Sequence, residues 1–377
     1  MSRARERCDF LFVAHRLGEV GRPKQGGVDR IIEYVVRKGR SAALIENPLG
    51  GRGPAVLSLA AGEGWRELGR TRVPFSGPVR WLAEMLATPN LANRHLQGDF
   101  TVVCADPLNF AAVVPLLRPG RPGIFLAVDY SPRRFPGRIL NAAYRKFFFR
   151  AVRRAAGVWA ASEPVAELCR AAGGGGKVAW LPNSPFYDEI PRIPPAERDP
   201  GELVLIGHLS ASLDRDIVSG ALRILGSRGI PARLTVIGSG ARSFAFPSEG
   251  PVRNLGMLPR SEALAAMAGG GLGLAFYGGD PDLDRYRDSI KIREYAAAGL
   301  PVLCDGATPT AREGAERGAC WIVADSAELA AAVERLCADR ALYAEVAGKA
   351  LAWAREMDKG RILEKLLPLE GDGPCAA

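Results

Sequence analysis

"SIKIREYAAAGLPVL", residues 289–303, decides how this chain of 377 residues is read. Its apolar and small residues run at helical spacing to Ala298, Gly299 stops the helix, and Pro301 leads into the apolar strand "LPVLCDG" (300–306). On the other side lies a second short apolar strand, "LGLAFYG" (272–278). Strand, helix and strand so closely joined make a βαβ unit, with parallel strands and a helix laid across them. Such a helix needs only an apolar face. This one also carries Ser289, Lys291 and Glu294 in its opening turns.

The alternation continues in both directions. Upstream come strand "GELVLIGHL" (201–209), helix "DRDIVSGALRILGSRG" (214–229), strand "ARLTVIGSG" (232–240), short strand "VRNLGML" (252–258) and helix "RSEALAAMAGG" (260–270). Downstream, "TAREGAERG" is a short helix and "ACWIVAD" a strand; Asp325 with Glu328 marks the next helix start. The tail "WAREMDKGRILEKLL" is a last amphipathic helix.

Before residue 201, "SPFYDEIPRIPPAERDP" (184–200) holds five prolines without periodicity, the signature of a linker. A first alternating series precedes it, with strands at "DFLFVA" (9–14), "SAALIEN" (41–47), "DFTVVCAD" (99–106), "PGIFLAVDY" (122–130) and "GVWAAS" (157–162). The expected architecture is α/β, two doubly wound Rossmann-like parallel-sheet domains facing a cleft. The expected division is 1–183, a linker at 184–200, 201–350, and a helix at 351–377 crossing back to the first domain. In such sheets ligands sit beyond the carboxyl ends of the strands.

Composition narrows the class. The length favours two domains, and the apolar (47%) and charged (24%) shares are those of a globular protein. The net charge of +9 suits an anionic partner, though Arg-rich composition alone would also produce it. Seven scattered cysteines without a CxxC pair read as buried thiols in a reducing compartment. Three histidines without HxxxH spacing give no zinc signature. The N-terminal apolar run is too short for a signal or a membrane span, so a cytoplasmic location is expected. No GxGxxG follows the first strand of either half, which argues against a dinucleotide-dependent dehydrogenase.

Three loops of the second half collect candidate residues. "IGHLSASLDRD" (206–216) and "VIGSG" (236–240) break directly after strands, at Gly207 and His208 and at Gly238 and Gly240, where a glycine lets backbone approach a ligand. "FYGGDPDLDRYRDSIK" (276–291) feeds the opening helix. With Asp288 or Ser289 as cap, the free N–H groups of its first turn favour a phosphate, and Lys291 adds a full charge. Glu294 lies one turn further on the same side, placed to accept ribose hydroxyls. The alternative is a surface Lys–Glu pair worth a few tenths of a kcal/mol.

"SIKIREYAAAGLPVL" resembles the donor-site segment of GT-B glycosyltransferases, where a Glu is followed by small residues and Gly-x-Pro-Val. "IGHL" followed by Arg215, then "VIGSG", then "NLGMLPRSEALAAMAGGGLGLAFY", fall in that family's order, as do Gly26 and Gly27 after the first strand. The likeness covers nearly the whole chain and is most specific over 200–305. It implies a nucleotide-diphosphate sugar as co-substrate, a donor site in the second domain and an acceptor site in the first, where Gly26 and Gly27 fall. His15 after the first strand either lines that acceptor side or is a polar loop residue, and no metal is demanded because the helix N-terminus, Lys291 and Arg215 can neutralise the phosphates. One position departs: many retaining members carry a second Glu eight residues before the ribose Glu, and here that residue is Tyr286, flanked by Asp284 and Asp288.

Asp129, at the end of "PGIFLAVDY", is placed to act as general base on an acceptor hydroxyl, or as a turn cap; Asp106 has the same placement. The stretch 131–156 carries eight Arg or Lys and no acid, interleaved with Phe147, Phe148 and Phe149. It reads either as a surface for anionic lipid, with the protein peripheral at the inner face of a membrane, or as a core helix with a solvated basic side. No nucleic-acid module is present. The expectation is a glycosyltransferase of glycan biosynthesis; a nucleotide-sugar epimerase or a non-catalytic nucleotide-binding subunit on the same fold are the alternatives.

Overall fold

The computed structural model describes residues 4–16, 27–48, 53–61, 64–73, 77–128, 130–207, 215–239, 252–277 and 279–367. The chain divides into two compact units, Met1–Leu181 with Leu363–Ala377, and Pro182–Ile362.

In the first unit the strands are β1 (Glu6–Arg7), β2 (Phe10–Arg16), β3 (Ala42–Pro48), β4 (Val56–Ala61), β5 (Gly64–Arg70), β6 (Leu96–Gln97), β7 (Thr101–Ala105), β8 (Gly123–Ala127), β9 (Gly157–Ala160) and β10 (Val178–Trp180). The helices are α1 (Gly27–Arg37), α2 (Gly77–His95), α3 (Pro107–Val113), α4 (Arg138–Arg154) and α5 (Glu163–Cys169). Eight strands form one sheet in the order β10-β9-β8-β7-β2-β3-β4-β5; β1 and β6 pair separately. The central pairs are parallel, in register Phe10 with Ala42 and with Thr101. β4 and β5 add an antiparallel hairpin at the edge, beyond the parallel sheet expected from the sequence.

The second unit repeats the plan with β11 (Glu202–Ile206), β12 (Arg233–Ile237), β13 (Val252–Gly256), β14 (Leu272–Ala275), β15 (Val302–Cys304) and β16 (Cys320–Ile322). Its helices are α6 (Arg215–Ser227), α7 (Arg260–Ala268), α8 (Pro281–Asp284), α9 (Ile290–Ala298), α10 (Pro309–Glu316), α11 (Ser326–Ala338) and α12 (Arg340–Glu356), and α13 (Lys359–Leu366) runs on into the first unit's sequence. The sheet order β13-β12-β11-β14-β15-β16 is parallel throughout and reverses direction at β11 and β14, the crevice where doubly wound folds bind ligands. One core packs this sheet against α6 and α11, and a second packs it against α7, α9 and α12.

The proline-rich stretch 184–200 belongs to the second unit and packs onto it. Phe186 and Ile190 are buried, and the Arg198 guanidinium donates to the carbonyls of Ala268, Gly270 and Ala298. Arg198 thereby satisfies carbonyls at or just beyond the ends of α7 and α9 that no helix turn can satisfy.

Cys8, Cys104, Cys169, Cys304 and Cys320 are free and buried, and Cys337 is free and half-buried. Burial pushes the thiols of Cys8 and Cys169 up to about 12, and that of Cys104 higher still. Among the described residues no helix is long and apolar enough to cross a membrane.

Candidate functional site

The helix α9 is fixed on its sheet by Tyr295. Its ring fills the notch left by Gly273, where a Cβ would come within 2.4 Å of it, and its hydroxyl donates to Leu274 O (3.1 Å) and accepts from Ile206 N (2.9 Å). The helix ends on Gly299 at φ 80°, with Leu300 N returning to Tyr295 O, a glycine C-cap that spares any side chain the left-handed conformation. These two anchors hold the start of α9 at the carboxyl ends of β11 and β14.

The inward side of that start is closed. The Asp288 side chain is buried: its Oδ1 accepts from Arg293 (2.7 Å) and from Thr310 Oγ1 (2.7 Å), and its Oδ2 from Asn183 N. Arg293, 1% exposed, also reaches Glu313 (2.8 Å), which accepts from Trp353 Nε1 (3.0 Å). Ser289 is the N-cap, but its hydroxyl pairs with Tyr277 and its N–H goes to Thr310. Asp288, expected at a phosphate or sugar, is therefore turned into the protein by partners from α9 itself, from α10 and from residue 183.

The other side is open. Gly207 and Gly238, ending the adjacent strands β11 and β12, both sit at φ 131°. A Cβ on Gly238 would lie 1.8 Å from Gly207 O, so the two strand ends touch through bare backbone. The Lys291 side chain lies against Gly207, its Cε and Nζ each 3.6 Å from where a Cβ would stand. Among the described residues no carboxylate comes within ion-pair distance of its ammonium, which instead lies 4.6 Å from the centroid of the Tyr277 ring. Arg287 stands 5.1 Å from the same ring and is paired with Asp284 (2.9 Å). Desolvation, then repulsion from Arg287, lowers the Lys291 amine to about 8, against the opposing pull of Asp305 and Glu294.

Glu294 is buried one turn further on and pairs with Arg260 at the start of α7 (3.0 Å). No local spacing predicts that partner, which is 34 residues away. Asp305, at the end of β15, accepts from Tyr277 N (2.6 Å) and Ala307 N (3.0 Å). Tyr286 is half-buried beneath Arg285. Arg215 is the first residue of α6; His208 and Gly240 lie outside the described residues. No cluster of side chains set to hold a metal ion is found among the described residues.

The first unit gathers its polar side chains at the same end of its own sheet. His15 at the end of β2 lies 3.5 Å from Asp106 just past β7, and Arg134 lies 3.6 Å from the other Asp106 oxygen. Asp106 has φ 95°, the only non-glycine residue with positive φ among those described, and caps α3 by accepting from Leu108 N. Strain of this kind costs about 1–3 kcal/mol and concentrates where chemistry needs a side chain aimed. Asn47 and Asn109, unremarked in the sequence, pair beside them at 2.9 Å, both buried. Gly27 opens α1, while Gly26 and Asp129 lie outside the described residues.

No protein-family model matches this chain, and no curated protein does. Solved structures do. Sucrose-phosphate synthase from Thermosynechococcus elongatus aligns with a TM-score of 0.67 at 13% identity, over 95% of this chain and 98% of that one. HepE of Anabaena, solved in complex with UDP, aligns at 0.64 and 16% identity, over 96% and 100%. WaaG, a glycosyltransferase involved in lipopolysaccharide biosynthesis, aligns at 0.63 and 16% identity, over 97% and 100%. At these identities the likeness is one of fold: two Rossmann-like α/β units in the GT-B arrangement of elements. The resemblance seen in "SIKIREYAAAGLPVL" thus extends to the fold of the whole chain.

Proposed function

We propose that the chain is a glycosyltransferase that moves a sugar from a nucleotide-diphosphate sugar to a hydroxyl acceptor. The observation that carries this is Lys291. A half-buried ammonium, disfavoured by its surroundings and without a carboxylate partner, lies beside two strand ends stripped to glycine backbone. An anion is what that position lacks. The diphosphate would lie against Gly207, Gly238 and the first turn of α9, with Arg215 at the start of α6 and His208 completing the set. Glu294, oriented by Arg260, would accept from the ribose hydroxyls. HepE's complex with UDP makes UDP the first nucleotide to try. Asp288 and Ser289 build this site without touching the donor.

In transfer, the acceptor oxygen attacks the anomeric carbon and the nucleoside diphosphate departs. The charge growing on its terminal phosphate is met by Lys291 and the helix N-terminus, a preorganised electrostatic task that requires no metal ion in this reading. The acceptor belongs to the first unit, at His15 and Asp106, with Asp129 as the general base. A peripheral position at the inner face of a membrane fits the basic stretch 131–156.

Calorimetry with UDP, GDP, ADP and TDP tests the reading. One nucleotide should bind in the micromolar range to the wild type and not to Lys291→Ala; no binding by any of them would reject the donor site. Asp129→Asn should lose turnover with nucleotide affinity intact, and loss of folding stability instead would make it a turn cap.

A further inference from the structure

We infer that α2 and α4 form one docking face for an anionic membrane, and, on the glycosyltransferase reading above, that the hydroxyl acceptor is carried on a lipid in that membrane. The two helices lie on one face of the first unit's sheet, one on either side of the short helix α3, which packs against both. The chain leaves α2 for β7 and leaves α4 for β9 at the amino ends of those strands. Each helix runs antiparallel to the sheet, so the N-terminal halves of both lie toward its carboxyl end, where His15 and Asp106 stand.

Those halves expose what a water-facing helix should not. On α2, Val79 (61%), Leu82 (51%) and Leu86 (62%) recur at helical spacing on the side opposite the buried Glu84, Met85 and Thr88. On α4, Ile139 (85%), Leu140 (54%) and Phe147 (39%) face out while Tyr144, Phe148, Ala151 and Val152 pack inward. Beside these apolar tips Arg138, Arg145 and Lys146 are exposed, Arg150, Arg153 and Arg154 continue the exposed basic side along the rest of α4, and no acid occurs between 131 and 156.

The charge decides the occupant. A second copy would bring the same positive face against this one, and RNA would leave the aliphatic tips in contact with phosphate. A bilayer with anionic headgroups takes both: aliphatic tips enter the headgroup boundary while lysine and arginine meet lipid phosphate. The geometry adds a use. A surface held there brings the carboxyl end of the first unit's sheet close to the headgroups, so a lipid-anchored hydroxyl reaches His15 and Asp106 without leaving the bilayer.

The test is flotation of the full chain with vesicles of phosphatidylcholine alone or mixed with phosphatidylglycerol. The wild type should float with the mixed vesicles only and be released by salt. Leu82→Ser with Leu86→Ser, and Ile139→Ser with Leu140→Ser, should each weaken partition about tenfold. Lys146→Gln with Arg150→Gln should weaken it about fivefold per charge removed. All these positions are exposed, so thermal melts should be unchanged, and UDP affinity should be too.

No flotation, or equal flotation with neutral vesicles, overturns the proposal. So does RNA binding without vesicle binding, or a dimer that the serine variants dissociate while vesicles are ignored. Flotation needs no nucleotide: if it holds while all nucleotides fail to bind, the docking face stands and the glycosyltransferase reading falls.

Discussion

Two basic residues, Lys291 and Arg293, sit two positions apart on α9 and are treated in opposite ways. Arg293 is enclosed by Asp288 and Glu313, whose charges and hydrogen bonds outweigh its desolvation and raise its pKa. Lys291 faces the glycine-ended strands without a carboxylate, and desolvation lowers its pKa. A buried cation given two carboxylates holds structure together; a cation given none is the one that an arriving anion would meet in the proposed site. Both lie on one turn of one helix, and two positions turn the side chains to different sides of it, one into the core and one toward the glycine-ended strands.

Removing Arg293 should have the largest effect. Arg293→Met leaves the Asp288 side chain as an uncompensated buried charge and takes the cation from the partly exposed Glu313, and the second unit should lose about 3–5 kcal/mol in denaturant unfolding. Nucleotide binding would fail only because the site loses its frame. Lys291→Met should do the reverse: nucleotide affinity falls about a hundredfold or more by calorimetry, while the free protein melts at the same temperature or higher. If Lys291→Met destabilised the protein as Arg293→Met does, the comparison would collapse and Lys291 would be structural.

The pH dependence sharpens the contrast. In the free protein Lys291 loses its proton near pH 8, whereas an unfolded lysine keeps it to about 10.5. Between these values the unfolded chain binds one more proton, so stability rises with pH there. The gain is about 2 kcal/mol once solvent screening of the half-buried amine is allowed for. In the proposed donor site diphosphate binding would need the charged form, so nucleotide affinity should fall as pH rises above 8. Titration of wild type should show both trends, and Lys291→Met neither. The smallest expected effect is that of Glu294→Gln, about a fivefold to tenfold loss of nucleotide affinity that vanishes when pyrophosphate replaces the nucleotide. An equal loss with pyrophosphate would move Glu294 from the ribose to the phosphates.

The alternation of strands and helices was legible because each element carries its own period. So was the start of α9, whose stop signal and neighbouring strands are local. The direction of a side chain was not. Asp288 stands at a helix start where a carboxylate often faces outward, and it turns inward because Thr310 and Arg293 offer it donors. Glu294 looked like a candidate partner for Lys291 and is held by Arg260 from another helix. Asn47 and Asn109 are single polar letters in apolar runs, and only the sheet brings them together. The β4–β5 hairpin left a signal in "AVLSLAAGEGWRELG", two short runs on either side of Gly-Glu-Gly, that a reading tuned to βαβ units passes over.

The buried cysteines provide an internal clock for opening. Cys8, Cys104 and Cys169 belong to one unit and Cys304 and Cys320 to the other, all of them shielded. Enclosed as they are, a thiol-labelling reagent reaches them only when the surrounding core separates. Labelling followed by peptide mass mapping would time the loosening of each half in the unmodified protein. Nucleotide added to such an experiment should slow the clock at Cys304 and Cys320 and leave the one at Cys104 running at its own rate.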